Sequence, residues 1–255
     1  MTKLKWQRLV WLTTLFLLGL GVSYFGRLTY WQSLLAVYAL PVILNFLWLQ
    51  RARLKVLVFS LATTIIFAVP VELLSRLADS WDVASSFPRL FGIVPIENLV
   101  YAFLNFLWVL SFYEYFFDHD TGRRFSSRAK YLLGLYVVLF VLAMTIFLFL
   151  SQQIIFHYWL IALMIIFIPL LLLSFLTDFK WRSFIVPTIF FAFIFFSHEI
   201  ISLRLGYWWW PGEYLWPITL FGQTFPIDDV IIWHLASTPA LLSGYKYFID
   251  TKNYK

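Results

Sequence analysis

Long apolar stretches alternate with short polar segments along the whole chain. Eight of these stretches are long enough to cross a hydrocarbon layer of about 30 Å, which takes about 20 helical residues. They cover residues 8–25, 31–49, 54–77, 94–117, 131–150, 154–176, 183–203 and 226–248. The pattern predicts an all-α polytopic membrane protein with about eight transmembrane helices.

The composition supports this prediction. Hydrophobic residues make up 62% of the chain and charged residues 13%, which is too apolar for an ordinary soluble domain. The first apolar stretch follows three basic residues, as in a signal peptide, but no small-residue cleavage site comes after it. We therefore expect it to remain as the first span. The chain has no cysteine, which excludes disulfides, thiolate metal sites and cysteine nucleophiles.

The basic residues predict the orientation. Fifteen of the nineteen Lys and Arg residues fall on one side of an eight-span topology, whereas Arg27, Arg76, Arg89 and Arg204 fall on the other. The positive-inside rule then places both termini in the cytoplasm, and we expect a multi-pass protein of a prokaryotic cell membrane. We interpret the net charge of +6 as this topology signal, so nucleic-acid binding is not expected.

A set of polar positions occurs twice in the chain. The first copy contains Glu72-Leu-Leu-Ser75, Trp81 and Pro95-Ile-Glu97-Asn98, and the second contains Glu199-Ile-Ile-Ser202, Trp208 and Pro226-Ile-Asp228-Asp229. The Glu-to-Ser and Glu-to-Trp spacings are identical in the two copies. We interpret this as a duplication of a four-helix repeat, with residues 1–122 and 123–255 forming one membrane domain. Because each repeat has an even number of spans, the two are predicted to be parallel.

The duplication puts carboxyl groups at matching depths, near the outer ends of four predicted spans. They are Glu72, Glu97, Glu199, Asp228 and Asp229. Ionisable groups inside a bilayer are costly, so their recurrence favours a functional site. Two structural explanations stay open. Proline followed by an acidic residue is a common helix start, and Glu72 could form an ion pair with Arg76 on the same helix face.

Tryptophans flank both acidic sets. They are Trp81 in the first copy, and Trp208, Trp209 and Trp233 in the second. These side chains are expected either in the aromatic belt of the membrane interface or around a pocket for a long apolar molecule, where indole faces stabilise a carbocation.

Neither a metal nor an organic cofactor is expected. His198 and His234 lie near the second acidic set, but no pair of histidines has metal-ligand spacing. A glycine-rich phosphate loop and a dinucleotide fingerprint are also missing from the sequence. The two histidines are expected to form hydrogen bonds within the bundle or to help in proton supply.

At these residues the sequence resembles the integral-membrane lycopene cyclases, which occur as heterodimers or as fused chains of two repeats. That family carries a Pro-x-Glu-Glu motif in each repeat, which corresponds here to Pro95-Ile-Glu97-Asn98 and Pro226-Ile-Asp228-Asp229. The resemblance covers residues 60–118 and 187–250. This chain departs from the motif at Asn98 and at its two aspartates.

The resemblance implies cyclisation of a linear carotenoid end without a cofactor. An acid protonates the terminal double bond, a nearby alkene attacks the tertiary cation, and a base removes a proton. We expect Glu97 and Asp228 to be the primary acid and base, in either order, with Asp229, Glu72 and Glu199 tuning or relaying the proton. Asn98 and the four tryptophans are expected to form the substrate pocket.

The expected partners are a long polyene or polyprenoid substrate and membrane lipid, with a homo-oligomer left open. A carotenoid hydratase or another polyprenoid-modifying enzyme would begin with the same protonation and stays open as a function. A proton-coupled carrier and a lipid-binding membrane protein also stay open, because both suit parallel repeats with carboxyl groups around a shared axis.

Overall fold

The computed structural model describes residues 2–120, 125–150, 157–176 and 181–249. The described chain is all-α apart from two short strand pairs. Its helices are α1 (Lys3–Gly26), α2 (Tyr30–Leu47), α3 (Arg53–Leu77), α4 (Ile96–Phe116), α5 (Ala129–Leu150), α6 (Tyr158–Leu176), α7 (Trp181–Leu205) and α8 (227–248). The predicted repeat boundary at 122 and 123 lies outside the described residues, as do the basic residues Arg123, Arg124, Lys180, Lys252 and Lys255.

Seven of these helices, α1 to α7, are long and apolar enough to cross a membrane. The chain is therefore a multi-pass membrane protein, as predicted. The eighth predicted span is also helical over residues 227–248, and it carries Asp228, Asp229 and Lys246.

Within the described ranges, four helices contain a π-helical segment, in which the turn is wider than in an α-helix. The segments are Leu35–Ala39 in α2, Thr64–Ala68 in α3, Leu163–Phe167 in α6 and Val230–Ala236 in α8. Each is followed within three residues by a proline: Pro41, Pro70, Pro169 or Pro239. Proline lacks the N–H that an α-helix needs, and its ring collides with the carbonyl four residues earlier. A wider turn before the proline relieves that collision.

Helix α1 packs closely on α2 at Gly19. A Cβ on Gly19 would lie 2.3 Å from the carbonyl oxygen of Ala36 and 2.7 Å from the Cα of Val37. Both atoms belong to the backbone, so no side-chain rotation can make room. Small residues commonly allow this close approach of membrane helices.

We expect Gly19→Ala to lower the free energy of unfolding by about 1–3 kcal/mol, because α1 must move away from α2. Gly21→Ala is the matched control, since a Cβ there would have no neighbour within 4 Å among the described residues. Thermal unfolding in detergent, followed by tryptophan fluorescence, measures both. Equal losses in the two variants would contradict the packing explanation.

One end of the bundle is joined by polar contacts between the start of α1, the end of α4 and the loop before α3. The Lys5 ammonium donates to the carbonyl of Tyr115 at 2.7 Å. The Asp120 carboxylate accepts from the N–H groups of Arg51 and Ala52 at 2.7–3.0 Å.

The other end holds two antiparallel strand pairs. β1 (Asp82–Val83) follows α3 and pairs with β2 (Trp208–Trp209), which follows α7, with Asp82 opposite Trp209. β3 (Pro217–Leu220) and β4 (Gln223–Pro226) form a hairpin that leads directly into α8. The long loops after α3 and α7 are thereby tied together over the same end of the bundle.

Candidate active site

A cavity of about 180 Å³ lies between α3, α4, α7 and α8. Its walls are mostly apolar and aromatic, but three carboxyl groups line it: Glu72 of α3, Glu199 of α7 and Asp229 of α8. Each of these residues is at most 7% exposed. Among the described residues that line the cavity, none is Lys or Arg. The carboxyl groups therefore share an apolar space whose described lining has no lysine or arginine to balance them.

The second half of the chain contributes two carboxyl groups and a histidine to the cavity. Asp229 accepts a hydrogen bond from the Tyr158 hydroxyl at 2.8 Å, and its other oxygen lies 3.3 Å from His234 Nε2. Glu199 accepts from the Trp208 indole at 2.9 Å. Asp229 and His234 are five residues apart, which would place them on different faces of an α-helix. The π-helical segment between them brings positions i and i+5 together.

The first half contributes one carboxyl group to the cavity. Asn98 donates to Glu72 Oε1 at 2.6 Å and accepts from the Tyr30 hydroxyl at 2.7 Å. The second oxygen of Glu72 is buried without a hydrogen-bond partner among the described residues. Asn98 thus stands where Asp229 stands in the second half, each held by a tyrosine hydroxyl.

Glu97 and Asp228, the expected acid and base, do not line the cavity. Both are fully buried, and each binds the loop before its own helix. Glu97 accepts from the Ser85 hydroxyl at 2.7 Å and the Phe87 N–H at 3.0 Å, and also from the Ser86 N–H.

Asp228 makes the matching contacts in the second half. It accepts from the N–H groups of Leu215 and Trp216, both at 3.2 Å, and from the indole of Trp159. Carboxylates held by several donors at a helix N-terminus fix loop geometry. These two residues therefore shape the loops, while their neighbours Asn98 and Asp229 face the cavity.

Three of the four predicted tryptophans, Trp81, Trp208 and Trp233, line the cavity, and so does Trp210. Trp81 lies among other rings, with centroids 5.9 Å from Trp233, 6.3 Å from Trp210 and 5.8 Å from Tyr158. Trp209 does not line the cavity and is 47% exposed.

Glu199, Asp229 and His234 are the described residues that could hold a metal ion. They offer ligand atoms within 4.8 Å of one another. Glu199 and Asp229 each already accept one hydrogen bond, from the Trp208 indole and the Tyr158 hydroxyl, and Asp229 also lies beside His234. The arrangement fits a hydrogen-bonded proton site at least as well as a metal site.

Sequence reasoning missed Tyr30, Tyr158 and Trp159. The signal was present, because Tyr30-Trp31 and Tyr158-Trp159 each stand at the same distance before a proline, Pro41 and Pro169. In both helices the π-helical segment also begins five residues after the tyrosine. Helices α2 and α6, which carry neither acidic motif, therefore match in more than hydrophobicity.

An ion-pair cluster holds the loop that carries Trp81. The Asp82 carboxylate contacts the Arg76 guanidinium, lies 3.3 Å from Arg89 Nη2, and accepts from the Val83 N–H. Burial raises the pKa of this carboxyl, but Arg76, Val83 and Arg89 outweigh burial and hold the pKa below its usual value.

The depressed pKa predicts an acid-sensitive loop. A group whose pKa is lower in the folded state contributes stability above its unfolded pKa, and that stability is lost as the pH falls through the folded pKa. We expect the wild type to lose roughly 1 kcal/mol below about pH 4, with partial exposure of Asp82 limiting the effect. Asp82→Asn should not show this loss, whereas the loop control Asp79→Asn should. Thermal unfolding at pH 3 to 7 measures the difference, and identical pH profiles for wild type and Asp82→Asn would contradict the prediction.

Comparisons with protein-family models, with curated proteins and with solved structures find no match for this chain.

Proposed function

We propose that the chain is a cofactor-independent enzyme that cyclises the end of a linear carotenoid such as lycopene by protonation and carbocation closure. The observation that carries the proposal is the cavity itself, an apolar and tryptophan-lined space that three buried carboxyl groups line. A hydrocarbon substrate requires such a space, and its protonation requires an acid that is shielded from water.

The proposal includes a duplicated architecture of two parallel four-helix repeats, 1–122 and 123–255, with both termini in the cytoplasm. Three recurrences support it: the acidic motifs, the Tyr-Trp starts of α2 and α6, and their π-helical segments at equal spacing. Asp82 and Trp209, each directly after a motif tryptophan, pair with each other across β1 and β2. A twofold axis along the membrane normal would relate all these features.

The proton source in this proposal is the pair Glu199 and Asp229. Oxygen atoms of the two carboxyl groups lie within 4.8 Å of each other, and the described lining beside them has no lysine or arginine. Both groups cannot be ionised at low cost, so we infer that they share a proton. We assign the donor role to Asp229, because its second oxygen is buried without a hydrogen-bond partner among the described residues and can carry the proton. His234 and the Tyr158 hydroxyl fix the orientation of Asp229.

The reaction balances without any other reagent. The shared proton adds to the terminal double bond and leaves a tertiary cation. The π electrons of a neighbouring alkene form the new carbon–carbon bond and move the cation into the ring. Glu72, whose second oxygen has no hydrogen-bond partner in the described part of the chain, or the emptied acid pair removes a ring proton, so the product is an isomer of the substrate. The faces of Trp81 and Trp233 stabilise the cations.

Expression in a lycopene-accumulating bacterium tests the function. We expect ring-containing products with the mass of lycopene, separated by chromatography. Addition of EDTA to the purified protein should change the rate less than twofold, because the proposal uses no metal. Products heavier by one water would favour the hydratase instead, whereas unchanged lycopene would contradict the proposal.

A further inference from the structure

A second cavity of about 300 Å³ lies between α3, α5 and α8. Its described lining is apolar except for Thr63, Tyr136 and Lys130. Lys130 stands at the start of α5, far along the chain from the acidic residues of the first cavity. The described lining of the second cavity therefore carries no carboxyl group or histidine, and the cavity offers room for a hydrocarbon.

The two cavities adjoin each other. They share five lining residues, which are Thr63, Phe67, Tyr136, Ala240 and Leu241. Along α8 the combined lining runs from Asp229 to Phe248, which corresponds to roughly 28 Å of helix. Along α3 it runs from Phe59 to Glu72. The two cavities therefore follow one another between α3 and α8, from the acids toward the opposite end of the bundle.

The opposite flank of the bundle is filled by aromatic rings. Between α1, α4 and α7, the rings of Phe112 and Phe190 stack at 4.6 Å, and Trp108 lies 5.9 Å from Phe16 and 5.6 Å from Phe191. Under the proposed twofold axis, this flank corresponds to the one that holds the second cavity. Space for a chain is thus present on one flank and taken up by side chains on the other.

We propose that the second cavity is a tail channel, which binds the extended hydrocarbon chain of a long polyprenoid while one end group occupies the acidic cavity. The proposal rests on the proposed function, since it assigns that site a substrate class. The substrate enters end first on the side of α3, α5 and α8, and one end reacts at a time. A long chain gains binding energy along the channel that a short one lacks.

A filled channel tests this proposal. Ala62 lines the second cavity but not the first, so Ala62→Trp fills the channel without touching the acids. Leu61→Trp is the matched control, because Leu61 is the preceding residue and is 46% exposed on the helix surface. The probes are lycopene and pseudoionone, a short polyene with the same end group. Binding is measured as the amount retained by the detergent-purified protein after gel filtration.

We expect Ala62→Trp to lower lycopene retention at least tenfold and pseudoionone retention less than twofold, with Leu61→Trp unchanged for both. Equal lycopene retention by Ala62→Trp and wild type would overturn the tail channel, and so would equal losses of both probes. If the wild type retains lycopene but forms no rings, the proposed reaction fails while the channel remains. If the wild type retains no lycopene, both proposals fail.

A cysteine variant answers the same question if Ala62→Trp does not fold. The chain has no cysteine, so Ala62→Cys and Leu61→Cys each carry a single thiol. We expect lycopene to slow the modification of Ala62→Cys by a membrane-permeant thiol reagent at least fivefold. The Leu61→Cys thiol should react at the same rate with and without lycopene. Absence of protection at Ala62→Cys would overturn the proposal.

Discussion

Asp229→Asn is expected to lower ring formation at least about 100-fold, which is the usual loss when a general acid is removed. Asparagine has nearly the same shape and keeps an oxygen that can accept from the Tyr158 hydroxyl, which lies 2.8 Å from Asp229. It cannot release a proton to an alkene. The variant should therefore fold and bind lycopene but return it unchanged. Chromatography of ring products, normalised to the amount of folded protein, measures the loss.

Asp228→Asn is the matched control for this prediction. Asp228 is the preceding residue and is equally buried, but it binds the N–H groups of Leu215 and Trp216 instead of lining the cavity. We expect a less stable protein whose folded fraction forms rings within a fewfold of the wild-type rate. The reverse result, with activity lost in Asp228→Asn and kept in Asp229→Asn, would indicate that Asp228 is the acid, as the motif resemblance implies.

Glu97→Ala is expected to lower the free energy of unfolding by about 3 kcal/mol or more. The change removes the acceptor of the Ser86 and Phe87 N–H groups, and it leaves the Ser85 hydroxyl with the Phe87 carbonyl alone. Ser86 and Phe87 are exposed, so water can replace part of the loss, but each hydrogen bond to a charged acceptor contributes about 1.5–3 kcal/mol. For a chain of this size, 3 kcal/mol corresponds to a fall in melting temperature of roughly 6–12 °C. Thermal unfolding in detergent measures it.

Two further variants test whether the lost hydrogen bonds of Glu97 cause the loss of stability. Glu97→Gln keeps one acceptor oxygen and should lose about half as much stability. Glu213→Ala removes an exposed loop carboxylate and should change the melting temperature by less than about 2 °C, since exposed substitutions cost little. A Glu97→Ala protein as stable as the wild type would show that this carboxylate does not hold the loop.

The positions of the eight helices follow from the sequence, because apolar stretches of sufficient length have few other stable arrangements in a bilayer. Seven of them are long and apolar enough to cross a membrane. The recurrence of Glu72 and Glu199 also predicts two of the carboxyl groups that line the first cavity. Spacing alone does not show which residue of each acidic pair faces the cavity. Adjacent helix residues point about 100° apart, and loop N–H groups that need an acceptor hold Glu97 and Asp228 away from it.

The contact between Asp229 and His234 was not predicted, for a different reason. In an α-helix, side chains that meet are three or four residues apart, because these residues share a face. The segment Val230–Ala236 is π-helical instead and is followed by Pro239. A proline inside a predicted span was thus the available sign that pairs five residues apart could meet.

Cyclisation in heavy water tests the central claim most directly, because that claim is the transfer of a proton from the cavity acids to a hydrocarbon. Purified protein, equilibrated in heavy water and in excess over lycopene, is allowed one turnover, and the rings are analysed by mass spectrometry. The account predicts one deuterium in each new ring without any added cofactor, and none with Asp229→Asn. Rings that form without deuterium, or rings that form equally in Asp229→Asn, would contradict it.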